Sequence, residues 1–165
     1  MNFTIYTSPF TIPSMGVEIE RKFLVVGDHP MDEAVEMMQG YLCKDPGRTV
    51  RVRLEDEKAV ITIKGETLGI TRLEYEYEIP FEDARELLDL TIDSIVEKTR
   101  YHHRTDSHVW EIDVFKRRNK GLVVAEIELK DEDEVFEKPS WVGEEVTHDP
   151  RYANSSLSKT PYKEW

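Results

Sequence analysis

The stretch Val17-Glu-Ile-Glu-Arg-Lys-Phe-Leu-Val-Val26 decides the fold. Its β-branched and apolar content suits a strand rather than a helix. Strand side chains alternate, so Glu18, Glu20 and Lys22 share one face while Val17, Ile19 and Phe23 share the other. On the outside of a sheet such charges would simply face water. What sets this strand apart is recurrence of its pattern in six later segments.

Arg48 to Glu55 sets Arg51 and Arg53 against Val50, Val52 and Leu54. Lys58 to Gly65 sets Thr62 and Lys64 against Ala59, Ile61 and Ile63, and the intervening Glu55-Asp56-Glu57 suits a hairpin. Arg72 to Ile79 carries Arg72, Glu74, Glu76 and Glu78 on one face, with Tyr75 and Tyr77 on the other. Ile95 to Arg104 carries Lys98 and Arg100, continued by His102 and Arg104. Val109 to Phe115 opposes Glu111 and Asp113 to Trp110, Ile112 and Val114. Leu122 to Lys130 opposes Glu126 and Glu128 to Val123, Ala125, Ile127 and Leu129.

Between the strands, Gly27-Asp-His-Pro30 and Asp45-Pro-Gly47 read as turns. Helix-forming residues over 31–39 predict a short helix leading into a strand at Gln39–Lys44. Phe81 to Leu90 is the clearest helix, with Phe81, Ala84, Leu87 and Leu88 at helical spacing. A short helix is expected to start at Asp131-Glu-Asp-Glu134 and another to span Tyr152–Ser158, with an irregular segment from Pro139 and Trp141.

The 165 residues fit one domain, taken as 16–165 behind a flexible leader over 1–15. The leader has no basic start and no long apolar run, so it does not resemble a secretory signal. Net charge −12 argues against nonspecific binding to nucleic acid or an anionic membrane, and no stretch has transmembrane length. A lone Cys43 cannot form an internal disulfide, which points to a reducing, cytoplasmic setting. No GxxxxGK[ST] or GxGxxG motif occurs, and the histidines lack zinc-ligand spacing; His102 and His103 point to opposite faces.

The charges sort by sign along the strands. The acidic pairs are Glu18/Glu20, Glu74/Glu76, Glu111/Asp113 and Glu126/Glu128; the basic set is Lys22, Arg51, Arg53, Lys64, Arg72, Lys98 and Arg100. Seven or eight antiparallel strands with helices outside suggest an α+β, mainly β architecture: an antiparallel β-barrel whose charged face lines a tunnel. Crowded carboxylates repel unless a cation neutralises them, and crowded cations call for anions. Hard divalent cations suit the acidic residues, and phosphate oxygens suit the basic ones. Eight acids and seven bases give a net −1. Two divalent cations make that about +3, a match for a polyphosphate anion.

Glu18-Ile-Glu-Arg-Lys22 resembles the E-x-E-x-K signature of the CYTH superfamily, the triphosphate tunnel metalloenzymes. Arg51-Val-Arg53, Thr62-Ile-Lys64, Arg72-Leu-Glu-Tyr-Glu76, Glu97-Lys-Thr-Arg100, Trp110-Glu-Ile-Asp-Val-Phe115, Ala125-Glu-Ile-Glu128 and Gly143-Glu-Glu-Val-Thr147 follow in the family's order. The resemblance runs from about residue 16 to 158 and is nearest to compact single-domain bacterial members. It implies an eight-stranded tunnel acting on triphosphates with one or two Mg²⁺ or Mn²⁺ ions. It implies phosphate binding by Lys22, Arg51, Arg53, Lys64, Arg72, Lys98 and Arg100, and metal binding by Glu18, Glu20, Asp113, Glu126 and Glu128. Glu20, Lys22 and Asp113 would stand at the chemistry, with Glu74, Glu76 and Glu111 in support. The expected activity is hydrolysis of inorganic tripolyphosphate to pyrophosphate and phosphate. Class IV adenylate cyclase or thiamine triphosphatase activity is the alternative, and a non-catalytic polyphosphate-binding module a second.

Ligands that relieve crowded charges stabilise the folded state by mass action. Tripolyphosphate with Mg²⁺ is therefore expected to raise the melting temperature. A scan at saturating ligand that shows no shift would mean that the charged faces are solvated exteriors.

Overall fold

The protein is described from a computed structural model over residues 16–165, so the leader expected over 1–15 lies outside the described residues. The elements in order are β1 (Val17–Val25), β2 (Ala34–Asp45), β3 (Arg48–Glu55), β4 (Lys58–Gly65) and β5 (Thr71–Glu78), then α1 (Phe81–Leu88). After them come β6 (Ile92–Arg104), β7 (Val109–Phe115), β8 (Val123–Glu128), β9 (Val142–Glu145) and α2 (Asn154–Lys159). All neighbouring strands are antiparallel, in the order β5-β4-β3-β2-β6-β7-β8-β1, and β5 returns to pair with β1. The eight strands therefore close into the expected barrel.

The closing seam is short. Among the described residues, Val17–Leu73, Glu18–Arg72 and Ile19–Thr71 join β1 to β5, and hydrogen bonds of 3.2 Å from Glu20 N–H to the Ile70 carbonyl and from Glu74 N–H to the Gly16 carbonyl flank them. Further along, β1 pairs instead with β9, through Phe23–Glu145 and Val25–Val142. The last part of β5, from Tyr75 to Glu78, pairs with β4 alone among the described residues.

Directly opposed residues of neighbouring strands share a face. Glu20 opposes Glu128, Lys22 opposes Glu126, Glu126 opposes Glu111, and Arg100 opposes Asp113. Lys64 opposes Glu74, and Arg51 opposes Thr62, which opposes Glu76. The charged faces thus all turn inward. The outer face of β1, β7 and β8 is apolar: Phe23, Trp110, Ile112, Ala125 and Ile127 are buried against Leu129, Trp141 and Val142. Trp110 meets Trp141 edge-on at 5.5 Å and Phe23 at 5.7 Å, a favoured aromatic geometry. On the opposite side, α1 lays Ala84 over Val52 and Ala59.

The second helix does something different. Leu157 of α2 is fully buried among Val96, Phe115, Leu122 and Val124. Val124 shares the face of Glu126, and Val96 that of Gln39 and Arg53, so α2 stoppers one end of the barrel. Lys44 Nζ donates to the Ser155 carbonyl and to Ser158 Oγ, both at 3.1 Å, and Ser94 Oγ donates to the Ser158 carbonyl at 2.6 Å. These bonds hold a six-residue helix that would not persist alone.

Three local expectations need correction. Residues 34–39 are strand, not helix: exposed Glu36 and Met38 alternate with buried Met37 and Gln39 because β2 is paired on both sides, by β3 and β6. Ladder pairing outweighs the helix preference of Ala, Glu and Met. No helix starts at Asp131. Its carboxylate accepts from the Asp133 N–H at 2.9 Å, and Glu134 Oε2 accepts from the Lys130 N–H at 2.5 Å, so local side-chain bonds make a turn instead. The segment after Trp141 is not wholly irregular, since β9 occupies the edge of β1 that β5 leaves.

Leu157→Ala removes the apolar stopper. It is expected to cost about 2–5 kcal/mol, as large core truncations do. Denaturant unfolding measures the loss, and a change near zero would mean that α2 does not seal the barrel end.

Candidate functional site

A cavity of about 500 Å³ occupies the barrel. Glu18, Glu20 and Lys22 of β1, Arg51 and Arg53 of β3, and Lys64 of β4 line it. So do Arg72, Glu74 and Glu76 of β5, Arg100 of β6, Glu111 of β7, and Glu126 and Glu128 of β8. Thirteen of the fifteen charged residues singled out in the sequence therefore meet in one space. The other two, Lys98 and Asp113, lie behind the wall, 1% and 0% exposed.

Behind that wall the charges alternate. Arg100 donates to both Asp113 oxygens at 2.7 Å and to Glu126 Oε2 at 2.8 Å, and its other nitrogen meets Glu111. Lys98 closes on Asp113, and Lys22 Nζ stands 2.8 Å from Glu126 Oε1. Burial, with Arg100 beside it, lowers Lys98 to about 8. Burial opposes the ionised form of Glu111, but Arg100 and His102 overcome it and hold Glu111 at about 2. Glu126 is likewise ionised against its burial, by Lys22, Arg100 and Lys98.

The basic wall is organised by two carboxylates. Glu76 Oε1 accepts from Thr62 Oγ1 at 2.8 Å, from Arg53 Nη2 at 3.2 Å and from Arg51 Nη2 at 3.4 Å. Glu18 accepts from Lys64 Nζ at 3.0 and 3.1 Å and from Arg72 Nε at 2.5 Å. Burial works against the charge of Glu18, yet Lys64, Glu74 and Arg72 keep its carboxyl well below the usual range. Its neighbour Glu74 is raised to about 8, by burial and by the hydrogen bond it shares with Glu18.

Glu20 and Glu128 are the exception. They face each other across the β1–β8 pair, and the cation nearest Glu20 is Lys22 at 3.8 Å. Burial, then Glu126 and Glu18, lifts Glu20 to about 7. Burial, then Glu18 and Glu111, lifts Glu128 to about 7, although its more open position softens the effect. Among the described residues, no three carboxylates, histidines or cysteines form a ready-made metal cage. Two under-compensated carboxylates facing a cavity do suit Mg²⁺ or Mn²⁺, because a small hard ion takes one or two carboxylates and completes its shell with water and phosphate.

The cavity lining also takes in residues that the sequence pattern did not reveal, Asp149 among them. Tyr41, Thr49, Thr147, His148, Ala153, Asn154 and Ser155 are others. Thr147 Oγ1 accepts from the Lys22 N–H at 3.0 Å, fixing the 147–155 segment to the signature strand. These residues carry no periodic charge; Thr147 alone lay within a quoted motif. His102 and His103 do face opposite ways, His102 toward Glu111 and His103 toward Asp32.

The raised carboxyls carry a pH signature. Unfolded, Glu20, Glu74 and Glu128 ionise near the model-peptide value of 4.5, but folded they hold protons to about 7 or 8. The folded state therefore binds more protons in that window, and their contribution to stability falls as pH rises through it. Glu111 acts oppositely, and its contribution is lost as pH drops from 4.5 toward 2. Melting temperatures without divalent cations are expected to decline from about pH 5 to pH 8, less steeply in Glu20→Gln. Identical slopes in both proteins would remove Glu20 from the raised set.

The CYTH domain pattern matches residues 16–162. An inorganic triphosphatase of Acetivibrio thermocellus is 50% identical over 152 residues, covering 90% of this chain and 97% of its own. An inorganic triphosphatase of Nitrosomonas europaea is 40% identical over 148 residues, covering 86% and 96%. The crystal structure of the inorganic triphosphatase NE1496 superposes with a TM-score of 0.63 at 37% identity, over 86% of this chain and 93% of that one. A putative adenylate cyclase of Bacillus halodurans has a TM-score of 0.57 at 16% identity, over 72% and 84%, a likeness of fold alone. The match takes in every strand of the barrel and every charged residue of its lining, and on that breadth this chain belongs to the CYTH domain family.

Proposed function

We propose that this chain is an inorganic triphosphatase that hydrolyses tripolyphosphate to pyrophosphate and phosphate inside the barrel. The observation that carries the reading is the division of the cavity. Lys22, Arg51, Arg53, Lys64, Arg72 and Arg100 supply cationic donors, while Glu20 and Glu128 also line the cavity and are less compensated, Glu20 meeting Lys22 at 3.8 Å. The inorganic triphosphatases similar to this chain support it. Tyr41 is the one Phe, Trp or Tyr among the described lining residues, so little is offered for a base or a thiazolium ring to stack upon.

In this reading the basic residues bind and orient the phosphates, with the arginines suited to bidentate contact. Glu20 and Glu128 would hold Mg²⁺ or Mn²⁺, one or two ions, which when bound offset phosphoryl charge and acidify a water. Glu18, Glu126 and Asp113 complete the ligand set implied by the family. Each is paired with cations here, so ligation there requires those partners to be exchanged. Lys22 is held strongly in its charged form, with Glu126 and Glu20 overcoming its burial, and can stabilise charge on the leaving pyrophosphate. Lys98 and Asp113 set the position of Arg100 from behind. Glu74, Glu76 and Glu111 support the basic side chains. Among the described residues no helix is long and apolar enough to cross a membrane, and the single cysteine favours a cytoplasmic setting.

Glu20→Gln is expected to lower kcat by orders of magnitude while leaving the melting temperature near that of the parent or above it. Arg53→Ala and Lys64→Ala are expected chiefly to raise KM, by roughly tenfold, since their contacts act in ground and transition states alike. Turnover of tripolyphosphate, ATP, thiamine triphosphate and long polyphosphate with Mg²⁺ and with Mn²⁺ tests the assignment. Cyclic AMP from ATP, or no phosphate release from tripolyphosphate, would overturn it.

A further inference from the structure

The inner face of the barrel contains a buried polar residue that the ion-pair network does not use. Gln39 of β2 is 0% exposed, and neither its Oε1 nor its Nε2 has a hydrogen-bond partner among the described residues. Buried amides are almost always paired, and one left open at both ends is destabilising. Its place in the register is informative. Gln39 stands directly opposite Arg53 on β3 and Val96 on β6, and so shares the inner face of the barrel.

The opposed arginine has a complementary gap. Arg53 Nε is also buried without a hydrogen bond: it lies against Glu55, but its N–H does not point at that carboxylate. Arg51, one inward position along β3, likewise has a buried Nε without an acceptor. An amide without a partner and two N–H groups without an aligned hydrogen bond, one of them charge-paired with Glu55, therefore stand on adjacent rungs. In the described arrangement the Nη atoms of both arginines are drawn to Glu76. A phosphate that competes for those atoms must turn the guanidinium planes.

We propose that Gln39 is a positioning residue for the phosphate grip, the neutral acceptor that takes the Arg53 N–H when the guanidinium turns from Glu76 toward substrate. A guanidinium fixed at Nε presents its two Nη edges as a fork, the geometry that recognises phosphate. Neutrality matters here. A carboxylate at this position would hold the arginine as firmly but cancel the charge that phosphate requires. The inference rests on the triphosphate reading above, so its test must separate the two.

The experiment is calorimetric titration of the whole chain with inorganic tripolyphosphate in EDTA, together with melting temperatures. Gln39→Met keeps the volume and removes both unpaired polar atoms; Gln39→Leu serves as a second variant should Met pack poorly. Expected are an unchanged or raised melting temperature and a Kd weakened roughly tenfold, the worth of one hydrogen bond to a charged group. Gln39→Glu is expected to bind still more weakly. In an Arg53→Lys background, which lacks the Nε–H, Gln39→Met should add little further loss. If the parent binds tripolyphosphate and Gln39→Met binds it equally well, whatever its melting temperature, the positioning role is wrong and the triphosphate reading stands. Fully additive losses in the double variant would also overturn it. If the parent binds none in EDTA but turns it over with Mg²⁺, the same variants are compared by KM, with the same loss expected; if it neither binds nor turns over tripolyphosphate, both inferences fall together.

Discussion

The barrel depends on a buried row of alternating charge that runs Lys98, Asp113, Arg100, Glu126, Lys22. No member could be buried alone, because a lone ion withdrawn from water costs several kcal/mol, on the order of a whole domain's stability. Each is tolerable only beside the next. The row spans β6, β7, β8 and β1, so it fixes the mutual register of four strands as well as the positions of Arg100 and Lys22 at the cavity surface. Precision at the wall comes from pairing beneath it.

That arrangement reconciles an acidic protein with an anionic ligand. The chain carries a net charge of −12, which repels polyphosphate at a distance. At physiological salt such long-range repulsion fades beyond about 8 Å, whereas contacts inside a partly buried cavity are screened far less. Local placement of Arg51, Arg53, Lys64 and Arg72 therefore outweighs the total. Glu76 bridges Arg51 and Arg53, and Glu18 bridges Lys64 and Arg72, so each pair of cations has a carboxylate between its members.

Much of this was legible in the sequence, for a simple reason. Charges repeated at every second residue can be reconciled with apolar neighbours only if one face is core and the other a lining. The strands holding Glu18, Arg51, Lys64, Glu74, Arg100, Glu111 and Glu126 state that alternation plainly. β2 does not: its inward residues are Met37, Gln39 and Tyr41, among helix-forming neighbours, so local preference concealed a strand held by pairing on both sides. β9 was hidden because it depends on an edge that exists only once β5 has parted from β1. The 147–155 segment reaches the cavity by packing, not by periodicity. Alternation also cannot distinguish the first layer of a lining from the second, and Asp113 and Lys98, expected to bind ligands in the tunnel, lie 0% and 1% exposed beside Arg100.

The short seam has a consequence for how this molecule meets copies of itself. Among the described residues, the β5 edge beyond Glu74, whose N–H donates to the Gly16 carbonyl, has no further strand partner, and it lies next to an outer face where Ile63, Leu73, Tyr75 and Tyr77 are exposed. An open edge beside apolar side chains is the usual template for adding a foreign strand. Here every second residue along the edge is Glu74, Glu76 or Glu78, and Pro80 follows at once. Of these, Glu74 and Glu76 are engaged inside the barrel, so a second copy aligning along this edge would meet the exposed Glu78, and the proline interrupts any extension of the ladder. An exposed glutamate and a proline thus blunt the end of β5 against strand addition.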